Sequence, residues 1–72
     1  MAISDEARRK HGIKIKQRLE VLKYSFSGIA RELDVKPQAV WRTANLLSKS
    51  QRIIEELATK TGWTEEAIWP NG

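Results

Sequence analysis

A proline stands at position 37, four residues after Leu33, the last member of the apolar stripe Phe26, Ile29, Ala30 and Leu33. Proline has no N–H to continue an α-helical ladder, and it pushes the residue before it out of helical geometry. No helix can therefore run straight through Lys36. Yet proline is well suited to the first position of a new helix. The run that follows it, "PQAVWRTANLL", sets Val40, Ala44 and Leu47 on one face. The chain is expected to break at Asp34–Lys36, a turn of about three residues. A short helix precedes the break, and a second one covers 37–47.

Two short helices joined by so tight a turn form a helix-turn-helix unit. The corner needs a small residue where the helices approach, an apolar plug in the turn, and an apolar residue packing back from the second helix. Ala30, Val35 and Val40 supply these at offsets of five and ten. Glycine often precedes the plug, because a left-handed backbone is wanted there. Asp34 holds that position, and Asp tolerates the conformation better than most residues. In such a unit the second helix projects from the surface and enters a DNA major groove.

The remaining periodicity is helical, and no segment alternates as a strand would. Residues 1–9 mix both charges with few apolar groups and read as a flexible tail, leaving 10–72 as the folded domain. Ile15, Leu19 and Leu22 mark a first helix over about 10–23. Ser25 suits the N-cap of the second, with Tyr24 and Ile29 at the positions of a hydrophobic staple. A fourth helix is expected over roughly 49–61, with Ile53, Ile54, Leu57 and Ala58 inward and either Ser48 or Ser50 as cap. Gly62 suits its C-terminal end. Thr64 then caps a last short element that Pro70 ends, with Trp63 and Trp69 expected in the core. The fold class is all-α, a compact bundle of four to five short helices.

Composition narrows the chemistry. The chain has 72 residues, no Cys and one His. One domain with a small core is all this length allows. Cysteine chemistry is excluded, and a metal site is not expected around the lone His11. There is no Gly-rich phosphate loop and no His–carboxylate–nucleophile grouping, so neither an enzyme nor a cofactor nor a small-molecule substrate is expected. No apolar run approaches the roughly 18 residues of a membrane span, and the charged start does not resemble a signal peptide, so a cytoplasmic location is expected. The net charge of +4 is divided unevenly. Residues 1–52 carry 12 Lys/Arg against 5 Asp/Glu, or +7, and residues 53–72 carry 1 Lys against 4 Glu, or −3. A basic face for an anionic partner agrees with this split.

The stretches "YSFSGIARELDVKPQAVW" and "QRIIEELATKTGWTEEAIWP" resemble the Ner family of phage regulators and their Ner-like bacterial relatives. The likeness runs from about His11 to Pro70, and its most specific part is "AIWP" following the "II" helix. It implies a lambda-repressor-like helical fold. It also implies a repressor of phage early or transposition genes that binds operator DNA.

In the helix over 37–47 the residues outside the apolar stripe are Gln38, Ala39, Trp41, Arg42 and Asn45. Gln can pair bidentately with adenine, Arg with guanine, and Ala can meet a thymine methyl. Gln38 and Arg42 are the leading candidates for base contact. Trp41 has two readings: it packs against a thymine methyl or the sugar-phosphate wall, or it rolls back into the core. Lys36 beside the helix start, Ser27 near the start of the preceding helix, and Lys49 and Arg52 after the second helix are the phosphate candidates. Double-stranded DNA is the expected partner. Proteins of this kind commonly read two half-sites as dimers, so a homodimer formed on DNA is compatible with the chain. The rival reading is a helical protein-interaction module anchored by Trp41, since interface hot spots favour Trp and Arg.

Overall fold

Ser4 determines where the first helix begins. In the computed structural model, which describes residues 4–70, its hydroxyl accepts the Ala7 N–H at 3.1 Å, and Asp5 and Glu6 follow in the first turn. Acidic residues there favour the helix dipole. Helix α1 therefore spans Asp5–Val21, and the expected tail is helical from Asp5 onward. Two ion pairs, Arg8–Asp5 at 3.5 Å and Lys10–Glu6 at 3.2 Å, lie along this charged stretch. Met1–Ile3, also assigned to the tail, lie outside the described residues.

Among the described residues four more helices follow: α2 Phe26–Leu33, α3 Pro37–Ala44, α4 Gln51–Thr61 and α5 Glu65–Ile68. No strand occurs among the described residues, and no helix among them is long and apolar enough to cross a membrane. The caps fall on short hydroxyl side chains. Ser25 accepts from Gly28 N at 3.0 Å, Ser50 from Ile53 N at 3.5 Å, and Thr64 from Ala67 N at 3.2 Å. Of the two serines eligible to cap α4, the chain uses Ser50.

One core gathers all five helices. Ile15 and Leu19 come from α1, Ile29 and Ala30 from α2, Val40 and Ala44 from α3, Ile53, Ile54 and Leu57 from α4, and Ile68 from α5. Full burial of each large member contributes about 1.5–3 kcal/mol. Val35, Trp63 and Trp69 are only partly buried and pack against this core from its edge. The α1 stripe is Gly12, Ile15 and Leu19. Leu22 does not belong to it: it caps the helix, is 36% exposed, and precedes Lys23 at φ 69°. Tyr24 is also largely exposed, so its side of the expected staple is not closed over.

Polar side chains lock α1 to the C-terminal half. Arg18 Nε donates to the Thr61 carbonyl at 3.0 Å, at the end of α4. His11 Nε2 lies 2.6 Å from the Ile68 carbonyl in α5.

Candidate nucleic-acid interface

The corner between α2 and α3 is built by backbone hydrogen bonds. Asp34 is left-handed at φ 57° and ψ 45°. Its N–H donates to the Arg31 carbonyl at 3.3 Å, and that of Val35 donates to the Ala30 carbonyl at 2.9 Å. This pair of hydrogen bonds is the Schellman arrangement that closes a helix and satisfies its last carbonyls. It also brings Val35 back toward Ala30, where an apolar contact commonly completes the motif. Lys36 is extended, as a residue before proline must be, and Pro37 takes the first position of α3. Arg52 supports the corner from α4, donating from Nη2 to the Leu33 carbonyl at 2.9 Å.

Helix α3 then divides cleanly. Val40, Thr43 and Ala44 are buried, whereas Gln38, Trp41 and Arg42 are exposed. Residues three and four apart share one side of a helix, so these three form a single outward face. Trp41 is 47% exposed, which decides its position in favour of the surface. Lys36 is exposed at the start of the same helix, and Ser27 is exposed on α2.

Three expectations for this region are corrected. Ala39 is half-buried and packs against the core, so its methyl faces inward. Asn45 is 6% exposed and is not on the outward face: its Nδ2 donates to the Trp41 carbonyl at 2.8 Å and its carboxamide lies against Gly12 of α1. The helix ends at Ala44 rather than 47, and Leu47, expected inward, is 50% exposed. The physical reason is a second Schellman closure. Leu46 turns left-handed at φ 60°, and the Leu47 N–H reaches the Arg42 carbonyl at 2.8 Å. Thr43 fills the inward place assigned to Leu47, with its hydroxyl donating to the Ser48 carbonyl at 2.9 Å.

The two phosphate candidates after α3, Lys49 and Arg52, are both exposed. Lys49 lines a shallow groove with Gln51, Ile54, Glu65, Glu66 and Trp69, beside two carboxylates. Arg52 is engaged at the α2–α3 corner. Sequence reasoning missed two residues of α1, Arg8 and Arg9. Arg8 and Arg9 line a groove with Trp41 and Leu47, and Ile13 and Lys16 line the adjoining one with Trp41 and Phe26. The "RRK" run was a visible signal, but no apolar residue beside it announced a helix.

Comparison with models of protein families, with curated proteins and with solved structures finds no match to this chain.

Proposed function

We propose that this chain is a sequence-reading regulator that binds double-stranded DNA, with α3 in the major groove. The observation that carries the reading is the division of α3. A helix of eight residues follows a tight left-handed corner, buries one side and presents Gln38, Trp41 and Arg42 on the other. Gln38 and Arg42 are the base-reading residues, and each good bidentate pair supplies about 1–3 kcal/mol of discrimination. Lys36 meets a phosphate at the helix start, and Ser27 meets one at the start of α2. Repression of phage early or transposition genes is the role that the resemblance to Ner regulators adds. A homodimer on two half-sites is the assembly that goes with it.

The test is binding to a fluorescent duplex across a salt series, repeated with Gln38→Ala and Arg42→Ala. Phosphate contacts release counterions, so affinity must fall steeply with salt. Sequence preference is expected to drop in both variants. One observation favours a second reading. Ile13 of α1, Trp41 of α3 and Leu47 just after α3 are each about half exposed around two adjoining grooves, which suits a protein-interaction module anchored by Trp41. Such a contact would respond little to salt, and no duplex binding at low salt would bring it forward.

A further inference from the structure

The groove between the N-terminal half of α1 and the C-terminal end of α3 encloses about 250 Å³ and is lined by Asp5, Arg8, Arg9, Trp41, Asn45 and Leu47. Its walls are of two kinds. The Trp41 ring and Leu47 are apolar and half exposed, whereas Arg8 and Arg9 are cationic. The carboxylate in the groove is partly answered, since Asp5 Oδ1 lies 3.5 Å from Arg8 Nη1. Arg9 enters no ion pair among the described residues and is exposed. Arg8 Nε is buried without a hydrogen-bond partner, and a buried donor left in that state is costly. On the other side of Trp41 the adjoining groove adds Lys16.

We infer that this groove is a backbone subsite. It takes a deoxyribose-phosphate unit of the DNA strand flanking the base pairs read by Gln38 and Arg42. The sugar is apolar and matches Trp41 and Leu47. The phosphate is anionic and matches Arg9, with Arg8 behind it. A wholly apolar occupant would desolvate two guanidinium groups and offer no counter-charge. The inference rests on the DNA-binding reading and extends it to a second element, so that α1 and α3 hold the duplex together.

The experiment measures duplex affinity against salt for the wild type, Arg9→Ala, Arg9→Lys and Gln38→Ala, with phosphate-ethylation interference on the wild type and Arg9→Ala. Each neutralised phosphate contributes about 0.9 to the slope of log affinity against log salt. Arg9→Ala is expected to lose about that much, equally on all sequences, and to lose interference at one phosphate outside the base-read pairs. Arg9→Lys is expected to keep the slope. Gln38→Ala is expected to lose sequence preference with its slope intact. A wild-type slope and unchanged interference in Arg9→Ala, beside lost preference in Gln38→Ala, overturns the subsite and leaves the DNA reading standing. No duplex binding by the wild type at low salt overturns both. Arg9 is exposed, and circular dichroism of the variants separates a folding defect from a lost contact.

Discussion

Gly12 and Asn45 meet where α1 crosses α3. A Cβ added at Gly12 would collide with the Asn45 carboxamide, whose Nδ2 is held on the Trp41 carbonyl. Two effects then compete in Gly12→Ala. Helix propensity favours Ala by about 1 kcal/mol, and overpacking costs about 1–3 kcal/mol. The side chain in the way is itself hydrogen-bonded, so overpacking wins. Gly12→Ala is expected to destabilise by about 1–2 kcal/mol in thermal unfolding, and Asn45→Ala in the same chain should recover part of that loss through their coupling. Lys23 makes the opposite case. It is exposed, ends α1 at φ 69°, and has a side chain that gains nothing from the left-handed backbone. Such a conformation costs an L-residue about 1–2 kcal/mol, which glycine avoids at some entropic cost. Lys23→Gly should add up to about 1 kcal/mol of stability, read as a higher urea midpoint at an unchanged m-value. The left-handed Asp34 was legible in the sequence, because Asp suits the place before an apolar plug. Those at Lys23 and Leu46 were not, because neither residue type prefers that backbone. Gly12 was illegible for a related reason, since a close approach of two helices leaves no apolar mark.

At the level of elements, most boundaries were legible, but α1 begins five residues earlier than the pattern suggests and α3 ends three residues earlier. Ser25 and Thr64 cap where the hydroxyl–apolar pattern placed them. Ser25→Ala should cost about 1 kcal/mol, most visibly as fraying of α2 in hydrogen exchange. The end of α3 was misread because Val40, Ala44 and Leu47 make a convincing stripe, while the residue that goes inward, Thr43, carries no apolar signal. The clasp between α2 and α4 was also hidden. Lys60 lies 3.3 Å from Glu32 of α2, 3.5 Å from Glu56 of its own helix, and 5.0 Å from the centre of the Tyr24 ring. The hydrogen bond to Glu32 holds the Lys60 ammonium above its ordinary 10.5; the charges of Glu32 and Glu56 add to it, and burial opposes it. A pKa raised on folding gives stability that is fully present below the unfolded value and is lost as pH rises through the folded one. Lys60→Met should therefore lower the denaturation midpoint at neutral pH, and its gap from the wild type should narrow only above about pH 10.5.

Across the described residues, the order of the helices and the outward places of Gln38 and Arg42 could be read from hydroxyl caps, Pro37 and apolar spacing. The arrangement of helices around them could not. Packing of α1 against α3 passes through Gly12, and its attachment to the C-terminal half runs through Arg18 and His11, polar residues that announce nothing about contacts far along the chain. Ile68, completely buried in the last helix, anchors this closure. Ile68→Ala should cost about 2–5 kcal/mol, a large share of the roughly 5–15 kcal/mol available to a domain. A markedly lower transition temperature in calorimetry is the expected outcome. The bond from His11 to Ile68 spans 57 positions, and that span has a meaning in time. At roughly 5–20 residues per second on the ribosome, about 3–11 s separate the synthesis of the two residues. Until Ile68 has been made, Ile15 and Leu19 lack part of their cover, so the core is expected to close only once α5 has left the ribosome.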